Sequence, residues 1–181
     1  MDKPFRHLNI PFNVKPAWKS IVGYDTRADK QNFWVKPRLV LDSQTLEFLM
    51  NANIKFYGCN VWSWLPSRSV PVWHTDTGFS VAINYLLDGE AGRTEWIDHS
   101  KVVKLKDMID PEYGTGDTRY NSSKSPDFSE SIRLGHPMLI RNDIPHRVNR
   151  MGSTSIRWTL RLLLWGNWEE ALEKLDKYSV L

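Results

Sequence analysis

Hydrophobic and polar residues follow two different periods along this chain, and the first clear period is helical. From Asp42 onward the apolar positions fall on one side of a helix, with Asp42 or Ser43 available to cap its start. Asn51 and Asn53 suit its end. The apolar stripe consists of Leu46, Leu49, Met50 and Ala52. This pattern predicts the best helix of the N-terminal half.

Beyond this helix the period changes to two, which is typical of β-strands. Strand-like runs occupy residues 54–65, 80–87, 95–105, 137–141 and 155–165. Asp88-Gly89 predicts a turn after the second run. A final amphipathic helix is predicted over 167–178, where Asn167 can cap the start. Many short strands with few helices predict a mainly β fold, a sandwich or barrel with helices packed on one side.

Two segments lack such a period. Prolines interrupt the first 40 residues, which we expect to be irregular. Lys106 to Leu134 is polar and rich in Gly, Pro and Ser, and the alternatives there are a lid over a site or plain disorder. With no repeat and no linker, we expect a single domain over 1–181, with a barrel core at about 54–165 and an N-terminal segment at 1–53.

Composition narrows the class of protein. With 41% hydrophobic and 25% charged residues, the chain resembles a soluble globular protein rather than a disordered one. A net charge of +3 and the lack of a basic stripe among aromatic residues do not favour nucleic acid as a partner. The single Cys59 fits a reducing compartment, and no leader or membrane segment is apparent, so a cytoplasmic location is expected. Nine tryptophans can build a core or line a pocket.

Candidate metal chemistry begins at His74-Thr75-Asp76, because positions i and i+2 of a strand point to the same side. His146 lies in a turn between strand-like runs about 70 residues further on. Two histidines and one carboxylate from separate strands are the donor set that holds non-haem Fe(II) with three positions open. A structural histidine near a turn is the alternative for His146.

A candidate anion site follows on the last strand-like run. Strand alternation places Arg157, Thr159 and Arg161 on one face. The opposite face carries Ile156, Trp158, Leu160 and Leu162. Two guanidinium groups and a hydroxyl suit carboxylate binding, whereas a solvated edge strand is the alternative. The polar segment holds further groups that can meet an anionic substrate, although ordinary solvation is favoured there: Arg119, Tyr120, Lys124 and Arg133.

His74-Thr75-Asp76, His146 and Arg157-x-Thr159, in this order and spacing, resemble the Fe(II)/2-oxoglutarate-dependent dioxygenase superfamily. The resemblance covers roughly residues 54–165 and implies a double-stranded β-helix, the jelly-roll or cupin-like barrel. The stretch HTDTGFSVAINYLLDGEAGRTEW resembles the prolyl-hydroxylase and aspartyl/asparaginyl-hydroxylase branches. The spacing of the two arginines after His146 is similar to that in taurine-dioxygenase and phytanoyl-hydroxylase relatives.

The resemblance implies a role for each candidate residue. The implied ligands of Fe(II) are His74, Asp76 and His146. Arg157 would pair with the far carboxylate of 2-oxoglutarate, assisted by Thr159. Either Tyr85 or Asn84, but not both, would supply a second contact, and alignment favours Tyr85. Arg161 would meet the C1 carboxylate or the substrate.

The implied activity uses O2 and 2-oxoglutarate to hydroxylate an amino-acid or peptidyl side chain. The alternatives are an oxygenase of a nucleobase or small metabolite, a non-enzymatic jelly-roll binding module and a zinc hydrolase with the same three ligands. Trp62, Trp64 and Trp73 lie just before His74 and can wall a dry site, although core packing is the general role of such rings. Trp158 is expected in the helix-covered back of the barrel.

Overall fold

The computed structural model describes residues 2–24, 31–65, 71–90, 92–109 and 116–180, and in these ranges the fold is mainly β with few helices. The strands are β1 (Phe5–Leu8), β2 (Gln31–Val35), β3 (Phe56–Trp64), β4 (Trp73–Thr77), β5 (Val81–Asp88), β6 (Arg93–Trp96), β7 (Val103–Ile109), β8 (Gly116–Asn121), β9 (Phe128–Glu130), β10 (Met138–Arg141), β11 (His146–Asn149), β12 (Arg157–Leu164) and β13 (Ser179–Val180). The helices are α1 (Trp18–Ile21), α2 (Pro37–Val40), α3 (Ser43–Asn51) and α4 (Trp168–Leu175), with short 3₁₀ turns at His99–Lys101 and Asp176–Tyr178.

The strands form two antiparallel sheets. One has seven strands in the order β13-β1-β10-β5-β12-β3-β2, and the other has six in the order β7-β8-β4-β11-β6-β9. Along the chain β3 and β5 enter the seven-stranded sheet, whereas β4 and β6 enter the six-stranded sheet. β9 joins the six-stranded sheet, and β10, β11 and β12 then alternate between the two. Consecutive strands from β3 to β6 and from β9 to β12 therefore lie in different sheets, and these two sheets face each other.

The two faces of β12 divide as the alternation of its sequence predicts. Trp158, Leu160 and Leu162 are buried in the larger hydrophobic cluster, which includes residues of α1, α3 and α4. Arg157, Thr159 and Arg161 lie on the opposite face, and Leu163 on that face belongs to the second apolar cluster together with Trp96 of the other sheet. The apolar back of β12 thus faces the helices, and its polar front faces the six-stranded sheet.

The two longer helices form where their caps predict. The Asp42 carboxylate accepts a hydrogen bond from the Thr45 amide at 2.8 Å, and the side-chain Oδ1 of Asn167 accepts one from the Glu170 amide at 2.9 Å. α4 buries Trp168, Ala171 and Leu175 and ends at Leu175, where a 3₁₀ turn follows. Across the described residues, the structure contains no helix with the length and apolar character needed to cross a membrane.

The expectation of an irregular N-terminal segment is wrong in part, because β1 and β2 lie there. β1 has four residues and is held between β10 and β13. β2 has five residues and is the edge of the seven-stranded sheet. Elements this short carry too few positions for a period of two to stand out, and the prolines of the segment lie outside both strands.

The alternative of plain disorder over Lys106 to Leu134 is wrong for the described part of that segment. The end of β7, all of β8 and all of β9 fall within it, while 110–115 lie outside the described residues. β7 and β9 are the two edges of their sheet and therefore do not need an apolar face. Polar side-chain pairs connect β7 to β8 in place of apolar contacts. In one of them the Thr118 hydroxyl donates to the Asp107 carboxylate at 2.7 Å.

Candidate metal centre and anion site

The metal candidates meet because β4 and β11 are antiparallel neighbours in the six-stranded sheet. His146 lies directly opposite His74, with ring centroids 4.5 Å apart. Asp76 follows two residues after His74 and so points to the same face. One potential ligand atom from each of the three side chains lies within 4.8 Å of the other two. The two distant parts of the sequence that predict a metal site are therefore brought together.

His146 is already oriented as a metal ligand. Its side chain is 5% exposed, and its Nδ1–H donates to the Ile144 carbonyl at 2.9 Å. Because that bond fixes the proton on Nδ1, the lone pair of Nε2 is left for a metal. Burial, and after it the charge of His74, lower the pKa of His146 to about 4, so the ring is neutral near pH 7, as metal binding requires.

Asp76 is held by an ion pair that crosses between the sheets. Arg161 of β12 donates to the Asp76 carboxylate, and the Asp76 amide donates to the Asn142 carbonyl at 3.0 Å. Burial alone would raise the pKa of Asp76, but the charge of Arg161, helped by the two histidines, leaves it below its ordinary value. The carboxylate is therefore ionised and its orientation is fixed.

The second arginine of β12 is a buried cation with a vacant donor. Arg157 is 2% exposed, and its Nε donates to the Thr159 hydroxyl at 2.8 Å. Among the described residues, its Nη1 has no hydrogen-bond partner and no carboxylate forms an ion pair with it. Burial lowers the pKa of Arg157, and the charges of Arg150 and Arg161 add to this effect. Leaving such a charge uncompensated costs about 3–5 kcal/mol, a cost that a bound anion would offset.

Asn84 and Tyr85, the two alternatives for a second co-substrate contact, lie on opposite faces of β5. Asn84 lies directly opposite Arg161, is 6% exposed, and its Oδ1 has no partner within the described ranges. Tyr85 points to the other face, where its ring stacks on Phe12 at 5.3 Å in the helix-covered cluster. The preference for Tyr85 is wrong, because matching a motif to the strand does not determine which residue faces the site.

The sequence reasoning missed Asn60. It lies on β3 directly opposite Arg161, is 2% exposed, and its Oδ1 is unpartnered within the part of the chain that the structure describes. Asn60 and Asn84 therefore flank Arg161 on both neighbouring strands. The available signal was an isolated amide at an inward position of an otherwise apolar and aromatic strand.

The tryptophans before His74 divide between the two faces. Trp62 lies opposite Thr159 and Trp64 opposite Arg157, and their rings stack at 5.5 Å on the site face. Trp73 points the other way and lies under the Arg147 guanidinium at 3.9 Å. The expectation that Trp73 walls the site is therefore wrong, because a residue adjacent to His74 in a strand must face away from it.

Comparison with protein-family models and with curated proteins finds no match for this chain. The functional assignment therefore depends on the geometry of the site.

Proposed function

We propose that this protein is an Fe(II)/2-oxoglutarate-dependent dioxygenase that hydroxylates an amino-acid or peptidyl side chain. The observation that carries the proposal is the pairing of two features on facing sheets. One is the group His74, Asp76 and His146, and the other is the buried Arg157 guanidinium, whose Nη1 has no partner among the described residues. An iron site explains the first feature, and a dicarboxylate co-substrate explains the second.

The donor set fits Fe(II). Two imidazole nitrogens and one carboxylate approach from a single side, which leaves further coordination positions open for the co-substrate and O2. The same three ligands would also suit zinc in a hydrolase. A hydrolase has no use for a buried arginine with a vacant donor near the metal, and this favours the oxygenase.

The anion site fits 2-oxoglutarate. Arg157 and Thr159 would bind the far carboxylate of the co-substrate, and the fork of the guanidinium suits that group. Asn84, whose side chain lies beside Arg161 on the site face, would donate to the end nearer the metal. When bound, iron and 2-oxoglutarate supply the oxidising chemistry, in which O2 and 2-oxoglutarate convert a substrate C–H to C–OH and yield succinate and CO2.

Residues around the three proposed metal ligands hold them in place and keep water away from them. Arg161 keeps Asp76 ionised and fixed in direction, so it acts as a positioning residue. The Arg161 guanidinium lies 5.7 Å from the Trp62 ring and 5.4 Å from the Phe79 ring, and these rings shield the ion pair from solvent. The His146–Ile144 hydrogen bond holds the imidazole in the tautomer that a metal needs.

Strand order supports a double-stranded β-helix as the fold behind this site. β3 to β6 alternate between the sheets, β9 remains in the sheet of β6, and β10 to β12 alternate again. This gives four barrel strands in each sheet, namely β3-β12-β5-β10 and β4-β11-β6-β9, which is the arrangement of a jelly roll. The ligands come from β4 and β11 of one sheet, and the anion site comes from β12 of the other.

Turnover of 2-oxoglutarate tests the proposal. Purified protein with Fe(II), 2-oxoglutarate, ascorbate and O2 is expected to form succinate and CO2 slowly without a primary substrate. His74→Ala and His146→Ala should each abolish this, whereas His136→Ala, which changes an exposed histidine, should retain it. Folded protein that forms no succinate under these conditions and does not bind 2-oxoglutarate would contradict the proposal.

A further inference from the structure

The sheet that carries the metal ligands continues beyond β4 into β8, and this extension places two charged residues beside the site. Arg119 lies directly opposite His74, and Asp117 lies opposite Asp76. Side chains of directly paired residues share a face of the sheet. The neighbouring pair confirms the parity, because the Tyr120 hydroxyl lies 3.4 Å from the Thr75 hydroxyl on the opposite face.

A second cation lies next to Arg119 on the same face. Lys106 of β7 pairs directly with Arg119, after a register shift between Lys104 and Lys106. On the other face Lys104 donates to the Asp107 carboxylate at 2.8 Å. Lys106 and Arg119 are thus like charges in directly opposed positions, an unfavourable arrangement that a bound anion would relieve.

Asp117 adds a negative charge to this group. Its Oδ1 accepts from the Arg119 Nε at 3.3 Å, and both side chains are partly exposed. The terminal nitrogens of Arg119 have no hydrogen-bond partner among the described residues. Arg119 and Asp117 therefore pair with each other through one guanidinium nitrogen, and the two terminal nitrogens of the guanidinium remain for a ligand. A ligand with a carboxylate and an ammonium on one carbon atom can contact both groups of this pair.

We propose that Arg119 and Lys106 bind the α-carboxylate, and Asp117 the α-ammonium, of a free amino acid. This inference rests on the proposed function and names its substrate class, because Arg119 and Asp117 are the direct neighbours of His74 and Asp76. A zwitterion bound there has its side chain next to the metal ligands. A phosphate dianion fits less well because Asp117 repels it.

The facing sheet indicates which side chain the amino acid carries. The stacked Trp62 and Trp64 rings lie on the site face of β3, and the Trp62 ring is near Arg161, the ion-pair partner of Asp76. Aromatic rings at this position offer apolar contact area. The expected substrate is therefore a free α-amino acid with an apolar side chain.

Calorimetric titration of Zn(II)-loaded and of metal-free protein tests the inference without turnover. The probes are L-leucine, L-isoleucine and L-phenylalanine, each with its N-acetyl derivative and its amide. At least one free amino acid is expected to bind, and either blocking group should weaken binding about tenfold or more, which corresponds to about 1.4 kcal/mol. No binding by any of the three, equal binding of the blocked forms, or equal binding of a doubly blocked peptide would overturn it.

Variants assign the roles within the cluster. Arg119→Gln and Lys106→Gln should each weaken binding of the free amino acid, and Asp117→Asn should erase the preference for it over the N-acetyl form. The matched controls are Arg93→Gln and Asp107→Asn, which change residues on the other face of the same sheet. If Arg119→Gln and Lys106→Gln both stay folded by circular dichroism and both bind like the wild type, the inference fails.

Binding of 2-oxoglutarate to the same preparations separates this inference from the function on which it rests. If 2-oxoglutarate binds to the Zn(II)-loaded protein but amino acids bind without dependence on both charges, only the substrate inference fails. If zwitterions bind selectively but 2-oxoglutarate does not bind, the dioxygenase proposal fails and the amino-acid site stands.

Discussion

Arg161 donates to the carboxylate of Asp76 across the space between the two sheets, and this ion pair joins the metal ligands to the strand that carries the anion site. Asp76 lies two residues after His74 on β4, and Arg161 lies two residues after Thr159 on β12, so each shares a face with its neighbour. A change in either sheet would therefore alter the orientation of Asp76, one of the three candidate metal ligands. The proposed chemistry makes this the most sensitive contact of the site.

Substitution of Arg161 should weaken metal binding although Arg161 is not a ligand. Arg161→Gln removes the charge that holds Asp76 ionised and oriented, and loss of such a partner weakens metal affinity by about 10–100-fold. Titration with Mn(II) or Fe(II) in the absence of oxygen measures the effect. Metal affinity equal to that of the wild type would contradict the role of Arg161 as a positioning residue.

Substitution of Arg157 should separate co-substrate binding from stability. Arg157→Met is expected to weaken 2-oxoglutarate binding by about 100-fold, because two charge-assisted hydrogen bonds are lost. Without ligand, the free energy of unfolding should stay unchanged or rise, since replacing an uncompensated buried charge by an apolar group of similar volume is commonly neutral or stabilising. Urea unfolding with and without 2-oxoglutarate measures both effects.

The matched control for Arg157→Met is Arg93→Met, an exposed arginine of β6. A large loss of stability in Arg157→Met, with 2-oxoglutarate binding retained, would mean that Arg157 is structural.

The pair Asn84 and Tyr85 gives a test of strand parity. Asn84→Ala should weaken 2-oxoglutarate binding by roughly 10–150-fold, because one hydrogen bond to a charged group is worth about 1.5–3 kcal/mol. Tyr85→Phe should leave binding unchanged, since the Tyr85 ring packs on Phe12 behind the sheet. The reverse result in titrations of the Zn(II)-loaded protein would place the opposite face of β5 at the site.

A histidine far from the metal ligands should make stability depend on pH. His7 is 3% exposed and lies 3.6 Å from Glu130, and burial together with Arg133 and Lys3 lowers the pKa of His7 against the opposing effect of Glu130. The unfolded chain then binds a proton near the ordinary pKa of 6.5, whereas the folded chain binds it only at lower pH. The free energy of unfolding should therefore fall as pH decreases below about 6.5.

Unfolding of the metal-free protein by urea at several pH values measures this slope. His7→Gln should flatten it relative to the wild type, and His136→Gln, at an exposed position, should not. If His7→Gln does not fold, His7→Phe offers the same test with an apolar ring. Equal slopes for the wild type and the His7 variant would exclude this contribution.

The sequence predicts the parts of the fold in which one period dominates. α3, α4 and the apolar back of β12 are confirmed because each has one polar and one buried face, so the period is visible in a single sequence. Within α3 the assignment of Met50 to the apolar stripe is wrong, since Met50 is 70% exposed whereas Leu49 is buried. β7 and β9 escape prediction because they are the edges of their sheet, where both faces accept polar residues, and β8 between β7 and β4 carries polar residues on both faces as well. Their pairing is determined by neighbours distant in sequence.

The candidate site was predictable where local spacing determines direction. His74 and Asp76 share a face because they are two residues apart, and the same spacing relates Arg157 to Thr159. Asn60 and Asp117 became visible only from register, and only register places Arg119 opposite His74, since these positions depend on which residue of another strand lies opposite. A single sequence carries periodicity but not register.

Absorption of visible light by the protein with Fe(II) and 2-oxoglutarate, mixed without oxygen, tests the central claim most directly. Under the proposed function, the band would require a metal held by His74, Asp76 and His146 with 2-oxoglutarate bound to it. The wild type and His136→Ala should show a weak band that saturates with 2-oxoglutarate, and His74→Ala should show none. A folded wild-type protein without the band, or a band that persists in His74→Ala, would contradict the assignment.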